Sequence, residues 1–80
     1  MIVWQRRDGT RIELDGIRLR ELRITNGWTQ RDVANEVGCT AAAVSSWELE
    51  ERCPSLPQCS RLADAFGVAL HRTGAIKVIR

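Results

Sequence analysis

Apolar and polar residues alternate at the N-terminal end of the chain, and a period of two residues is typical of β-strands. Every second position is apolar on either side of the dipeptide Asp8-Gly9, at Ile2, Trp4, Ile12 and Leu14. Asp-Gly favours a two-residue type I′ turn, because both central residues of that turn need a positive φ. The pattern predicts a β-hairpin arm over residues 1–15. The alternative is a frayed arm, since an isolated hairpin is only marginally stable.

A second strand-like segment lies at the other end of the chain. Residues 68–80 pass through Gly74 into an apolar run at residues 75–79, which predicts a strand-like tail. A hairpin needs a third strand or a helix to pack on. We therefore expect residues 2–7, 10–14 and 75–79 to form one small antiparallel sheet.

The middle of the chain, residues 16–67, has apolar residues at intervals of three and four, which predicts four helices. A start signal precedes each helix: Asp15 or Gly16, Thr29 with Asp32, Thr40, and Ser55 with Gln58. Two of these signals are capping boxes, in which each side chain bonds the backbone N–H of the other residue. Residues that favour a left-handed backbone end three of the helices: Asn26-Gly27, Gly38 and Gly67.

The predicted core follows from the same spacing. The apolar helix positions that face inward include Leu19, Leu22, Val44, Trp47, Cys59, Leu62, Ala63 and Phe66. Trp28 precedes the cap residue Thr29, so we expect it to pack on Val33 as a hydrophobic staple. Trp4 has two interpretations, because it could cover the sheet or form a contact between two copies of the chain.

Composition limits the fold and the class of protein. The 80 residues can form one domain with a thin core, which dimerisation would help to stabilise. No apolar run approaches the roughly 20 residues of a membrane span, and the N-terminus lacks the residue order of a signal peptide. We expect one domain over residues 1–80, located in the cytoplasm.

The sequence lacks a recognisable set of catalytic or metal-binding residues. The three cysteines, Cys39, Cys53 and Cys59, form no CxxC pair, and the single histidine, His71, is far from them in sequence. A structural zinc site needs four suitably spaced ligands, and a lone histidine without a nucleophile gives no acid/base pair. We expect no enzymatic activity, no metal and no cofactor. The cysteines are expected to be buried thiols in a reducing compartment.

Charge is distributed unevenly along the chain, although the formal net charge is only +2. Residues 1–24 carry six arginines against four carboxylates, a net charge of +2. Residues 25–51 carry one arginine against five carboxylates, a net charge of −4. Residues 52–80 carry five cations against one carboxylate, a net charge of +4. Attraction to a polyanion such as DNA would therefore have to come from the flanks of the acidic segment.

A family resemblance rests on the order of these helices. Thr29 to Glu48 reads as two short helices joined at Gly38, including the pair Trp47-Glu48. The flanking segments are Leu19-Arg20-Glu21-Leu22-Arg23, Pro54-Ser55-Leu56 and Leu62-Ala63-Asp64-Ala65-Phe66-Gly67-Val68. Over residues 19–68 the chain resembles the Xre, or lambda-repressor-like (Cro/C1-type), helix-turn-helix family. The resemblance implies a mainly α domain with four core helices, to which this chain adds the N-terminal β-hairpin and a possible C-terminal strand. It also implies binding to double-stranded DNA.

The resemblance places the third helix in the major groove, with its first two turns facing base edges. Those turns carry Ala41, Ala42, Ser45 and Ser46. Alanine can contact only a thymine methyl group, and serine bonds several base edges with little discrimination. Specificity would then depend on methyl contacts, DNA shape and the spacing of a dimer. The alternative is that the alanines are simply good helix formers.

Phosphate contacts are implied at four residues. Gln30 begins the second helix, where the family uses it to hold a phosphate and to brace the recognition helix, and free backbone N–H groups there favour an anion. The other phosphate candidates are Arg31, Thr40 and Arg52. For the arginines the alternative is an ordinary solvated charge. A phosphate would repel Glu48, and for this residue the resemblance implies an internal ion pair with Arg23.

Two further segments bear on DNA binding. Three arginines near the hairpin turn, Arg6, Arg7 and Arg11, could enter a narrow minor groove as a wing, or could form a charged sheet edge that resists aggregation. Glu50 stands where many relatives have glycine, so we expect the loop after the third helix to follow a different path.

Two classes of function fit these patterns. The first is a sequence-specific transcriptional regulator, a homodimeric repressor that places residues 40–48 in the major groove of a palindromic operator. The second is a protein interaction module of the same fold, such as an antitoxin or adaptor with a toxin as its partner. The second is favoured by the acidic segment at residues 25–51 and by sheet edges at both ends of the chain.

Overall fold

The computed structural model describes all 80 residues. In chain order the elements are β1 (Ile2–Gln5), β2 (Arg11–Leu14), α1 (Gly16–Thr25), α2 (Gln30–Val37), α3 (Ala41–Glu48), α4 (Leu56–Phe66), α5 (Ala69–Arg72) and β3 (Ile76–Ile79). The prediction of a mainly α fold with one small sheet is confirmed. None of the helices combines the length and the apolar character that crossing a membrane requires.

The three strands form one antiparallel sheet with β2 in the centre. Two rows of paired residues share the face that packs on the helices: Trp4, Ile12 and Val78 in one row, and Ile2, Leu14 and Ile76 in the other. The central residues of both rows are almost completely buried. The predicted pairing of the N-terminal hairpin with a C-terminal strand is therefore confirmed.

The hairpin turn differs from the predicted two-residue type I′ turn. Arg6 N–H donates to the Thr10 carbonyl (2.8 Å) and Gly9 N–H donates to the Arg6 carbonyl (3.2 Å), so the loop is three residues, 7–9. Gly9 has a φ of 90°, whereas Asp8 has no positive φ. The apolar pattern explains the difference. A two-residue loop would shift the register by one residue and place Trp4 and Ile12 on opposite faces of the sheet.

The tail is also more structured than the sequence predicted. The strand-like tail over residues 68–80 was expected to contain no helix, but residues 69–72 form the one-turn helix α5 before β3 begins. Leu70 is completely buried and Ala69 is partly buried against the core, while His71 is exposed. The Thr73 hydroxyl closes the turn by donating to the Ala69 carbonyl (2.7 Å). The chain therefore has five helices instead of four.

The four longer helices begin at the predicted residues. Each cap side chain accepts a hydrogen bond from the backbone N–H three residues later, at Asp15, Thr29, Thr40 and Ser55. Both capping boxes form, Thr29 with Asp32 and Ser55 with Gln58. Because these contacts are local, each helix start is fixed by a few neighbouring residues.

One core of fifteen buried apolar residues lies between the sheet and the helices. Trp47 and Phe66 are buried in it, and the half-buried ring of Trp28 lies 5.2 Å from that of Phe66, centroid to centroid. Trp4 is half-buried on the inner face of the sheet. Its indole N–H is buried without a hydrogen-bond partner.

Helix α1 crosses the C-terminal end of α3 at close range. The residue at the crossing is Gly16, which is buried, and a Cβ atom there would overlap the carbonyl oxygen of Glu48. Glycine is therefore needed at this position to let the two backbones approach. The crossing places the start of α1 against the end of the helix that carries the candidate site.

Candidate nucleic-acid interface

The turn between α2 and α3 fixes the angle between these two helices. Gly38 ends α2 with a φ of 79°, and the N–H groups of Gly38 and Cys39 both donate to the Ala34 carbonyl, at 2.8 and 2.9 Å. Arg61 on α4 donates from Nη1 to the Val37 carbonyl (3.1 Å). Two carbonyls at the end of α2 are thus satisfied, one of them by a side chain from a distant helix.

An ion pair joins α1 to α3. Arg23 donates from Nε to Glu48 Oε2 (2.6 Å) and from Nη2 to Glu48 Oε1 (3.2 Å), a bidentate contact that selects one orientation. The two side chains are only 11% and 3% exposed. Arg23 Nη1 also donates to the Trp28 carbonyl (2.9 Å). The pair that the resemblance implied is therefore present, and Glu48 does not face solvent.

Gln30 connects the second helix to the same ion pair. Its Nε2 donates to Glu48 Oε1 (3.1 Å), and the side chain is half-buried. The Glu48 carboxylate on α3 thus accepts hydrogen bonds from Arg23 on α1 and from Gln30 on α2. One N–H of the Gln30 amide remains for a phosphate, because the amide nitrogen carries two.

The predicted base-facing residues lie on the side of α3 opposite its buried face. Val44, Trp47 and Glu48 face inward. On the other side Ala42 is exposed, and its neighbours are half-buried, namely Ala41, Ser45 and Ser46. The Ser46 hydroxyl donates to the Ala42 carbonyl (3.0 Å), so its oxygen is left mainly as an acceptor. The face is small, nearly neutral and rich in methyl groups.

Two of the predicted phosphate residues lie together beside this face. Thr40 and Arg52 line an open cleft of about 470 Å³ with Ala42 and Ser46. The Thr40 hydroxyl is already used as the cap of α3, where it accepts from the Ala43 N–H (3.1 Å). Arg52 is exposed and forms no ion pair. Arg31 is exposed near the start of α2, outside the cleft.

A comparison with known families agrees with this geometry. A family model described as helix-turn-helix matches residues 19–72, which is more than half of the chain. The chain belongs to the Xre-type helix-turn-helix family. The match confirms the predicted family. Members of this family are DNA-binding regulators. No curated protein and no solved structure gives a significant match.

Three of the five carboxylates in residues 25–51 form contacts within the chain. Glu48 is buried with Arg23, and Asp32 accepts from the Thr29 N–H (2.8 Å) in the capping box. Hydrogen bonds from the backbone and side chain of Thr29 hold the pKa of Asp32 below its usual value. Glu50 accepts a hydrogen bond from the Gly16 N–H. Two exposed carboxylates without such a partner remain, Glu36 and Glu51.

The loop after α3 contains the one non-glycine residue with a positive φ, Glu50. Glu50 adopts a φ of 60°, the left-handed region that glycine favours. Its Oε2 accepts a hydrogen bond from the Gly16 N–H (2.9 Å), which leads back to the start of α1. Glu50 thus adopts a backbone conformation that is uncommon for a residue with a side chain. The long-range contact with Gly16 had no signal in the sequence.

The three hairpin arginines do not form one cluster. Arg11 lies within 3.6 Å of Glu13, its nearest carboxylate, and Arg6 lies 3.9 Å from Asp8, while Arg7 forms no ion pair. All three side chains are exposed, and such surface pairs contribute little stability. Asp8 Oδ1 accepts from the Thr10 N–H (2.9 Å) and so helps to define the turn. Arg7 lies in the hairpin loop, Arg6 lies just before it, and Arg11 begins β2.

The three cysteines are free thiols, of which Cys59 is buried and Cys39 and Cys53 are half-buried. Burial raises the pKa of Cys53 to about 11 and that of Cys59 to about 12, and it also raises the pKa of Cys39. Thiols with such pKa values carry little thiolate at neutral pH and are poor nucleophiles. No group of three or more metal-ligating side chains comes together in the structure.

Proposed function

We propose that this protein is a sequence-specific transcriptional repressor that binds a palindromic operator as a homodimer. The observation that carries the proposal is the linkage of α1, α2 and α3 through one buried carboxylate, Glu48. Such a linkage sets the orientation of α3 before DNA is present. Binding then requires little rearrangement of the helices, which lowers its free-energy cost.

The proposed reading element is residues 40–48, inserted into the major groove. Ala41 and Ala42 contact thymine methyl groups, and the hydroxyls of Ser45 and Ser46 accept from base edges. These contacts discriminate weakly between base pairs. Operator selection therefore also uses the shape of the DNA and the spacing of two half-sites.

The proposed phosphate contacts flank that element. Gln30 donates its remaining amide N–H to a phosphate, and Arg52 donates from its guanidinium. Arg31 and the backbone near Thr40 contact further phosphates. These contacts hold the register of α3 and carry no sequence information themselves. At the hairpin tip, Arg7 is the arginine most available to a neighbouring minor groove, because it forms no ion pair.

Selection from a pool of random duplexes tests the proposal. The wild-type protein is expected to enrich a palindrome with A·T pairs, and Ala42→Glu is expected to abolish recovery, because a carboxylate at the exposed turn of α3 meets bases and backbone alike. Ser60→Glu, at an exposed position on α4, is the matched control and should retain the same palindrome. Unchanged recovery with Ala42→Glu would show that α3 does not contact DNA.

The second candidate function is a protein interaction module, such as an antitoxin that holds a toxin. Neither outer strand pairs with a further strand, and such edges accept an added strand from a partner, although at β3 His71 Nδ1 already lies 3.0 Å from the Ile76 carbonyl oxygen. Glu36 and Glu51 would suit a basic partner. Uniform recovery of random duplexes by a folded wild-type protein would favour this function over the first.

A further inference from the structure

The two free edges of the sheet differ in chemistry. β1 consists of Ile2, Val3, Trp4 and Gln5, with no charged side chain and no proline. β3 carries the exposed Lys77 and is followed by Arg80. Natural proteins protect an exposed edge strand with charges, proline or bulges, because unpaired backbone groups recruit other strands. The β1 edge lacks the first two of these protections.

The register shows which backbone groups of β1 are free. Hydrogen-bonded pairs alternate along an antiparallel ladder, and Arg6 bonds the Thr10 carbonyl, so the next bonded pairs place Trp4 with Ile12 and Ile2 with Leu14. The N–H and C=O groups of Val3 and Gln5 therefore point away from β2, toward the free edge. An added strand would meet two donors and two acceptors there.

We propose that β1 pairs with β1 of a second copy of this chain, antiparallel and about a two-fold axis at Trp4. The two sheets then join into one sheet of six strands. Val3 exchanges both of its free hydrogen bonds with the partner's Gln5, and Gln5 does the same with the partner's Val3. The inference rests on the homodimer of the proposed function and names the contact that holds it together.

Charge and burial favour a second copy over another partner. A two-fold axis places a central side chain opposite its own copy, so like charges there are destabilising. β1 carries no charge, whereas the same pairing of β3 about its second residue would place Lys77 against Lys77. Val3 is 48% exposed beside the free edge.

A proline at Val3 tests the contact with little effect on the fold. Proline removes the N–H that faces the free edge and leaves the bonds between β1 and β2 intact. In sedimentation equilibrium the wild type is expected to form a dimer with a micromolar dissociation constant, because so short a strand buries little surface. Val3→Pro should raise that constant on the order of 100-fold. The matched control Val3→Thr, which keeps the N–H, should leave it within a few-fold.

A second variant covers the possibility that proline disturbs folding. Val3→Lys adds a charge to each copy of an exposed side chain and keeps every backbone N–H, so it should also produce a folded monomer. Far-UV circular dichroism checks the fold of each variant. Dimers that persist in both Val3→Pro and Val3→Lys, or a wild type that stays monomeric at millimolar concentration, would overturn the proposal.

DNA binding separates this inference from the proposed function. Folded Val3→Pro is expected to retain binding to a single half-site and to lose the added affinity for the two-site palindrome. A wild type that dimerises through β1 but enriches no duplex would refute the repressor and leave the β1 contact standing. A wild type that binds the palindrome as a dimer unaffected by Val3→Pro would refute only the β1 contact.

Discussion

At the scale of single residues, Glu48 shows how a side chain can serve a binding surface without touching the ligand. A free carboxylate on α3 would repel phosphates, and the sequence places Glu48 within the acidic segment at residues 25–51. The fold removes it from the surface and surrounds it with donors from Arg23 and Gln30. The charge is thereby used to fix the position of α3.

Removing one partner of this pair should be costly. We expect Glu48→Leu to lower the free energy of unfolding by about 3 to 5 kcal/mol, because it leaves the Arg23 charge buried without a counter-charge. The double variant Arg23→Met, Glu48→Leu should regain much of that loss. Urea denaturation of the variants, with Glu21→Gln on the exposed side of α1 as control, measures the difference. A double variant as unstable as the sum of the two single variants would contradict this account.

A second residue, Asp32, is expected to oppose DNA binding. Its exposed carboxylate occupies the start of α2, where a phosphate would bind, and hydrogen bonds from Thr29 favour its charged form. Asp32→Asn keeps a side-chain oxygen for the cap and removes the charge. We expect the affinity for the selected duplex to rise several-fold at low salt and less at high salt. Fluorescence anisotropy measures this, with Asp64→Asn on α4 as control, and an unchanged affinity would place Asp32 away from the phosphates.

At the scale of elements, structure that depends on neighbouring residues could be predicted from the sequence, and contacts between distant residues could not. The caps at Thr29, Thr40 and Ser55 depend on residues three positions apart, so the sequence is enough to locate the helices. The hairpin loop was mispredicted because the Asp-Gly preference was overridden by the need to place Trp4 and Ile12 on one face. The bond between Glu50 and Gly16 joins residues distant in sequence, and no local pattern encodes it.

The crossing of α1 and α3 gives a prediction at this scale. We expect Gly16→Ala to lower the free energy of unfolding by about 1 to 3 kcal/mol, because the added methyl group forces two backbones apart. Ile17→Ala, which is exposed on the same helix, should cost no more than about 0.5 kcal/mol. Thermal denaturation measures both. If Gly16→Ala were as stable as the wild type, the crossing of α1 and α3 could widen without cost.

At the scale of the whole molecule, the sheet and the helices depend on one another. Ala75 and Ile76 are completely buried, and the Ala75 carbonyl accepts from the Asp15 N–H (2.9 Å) at the start of α1. The last strand is thus part of the same core as the helix-turn-helix, although the matched family segment ends at residue 72. The hairpin and the tail are structural parts of this domain.

Substitutions at two neighbouring residues of β3 test whether the sheet and the helices unfold together. Ile76→Ala should lower the free energy of unfolding by about 2 to 5 kcal/mol, as expected for a buried side chain cut back to a methyl group. Lys77→Ala, one position along on the exposed face, should change it by no more than about 0.5 kcal/mol. Tryptophan fluorescence and far-UV circular dichroism should report one coincident transition for Ile76→Ala. Separate transitions would show that the sheet unfolds independently of the helices.

The inner and outer sides of α3 differ in how freely their residues can be substituted. The inward-facing residues Val44, Trp47 and Glu48 set the orientation of α3, whereas Ala42 on the outer side takes no part in the core. A library of variants at Ala42, and of small replacements at Ser45, should therefore consist almost entirely of folded proteins. New ligand preferences can then arise by single substitutions, without any compensating change elsewhere in the chain.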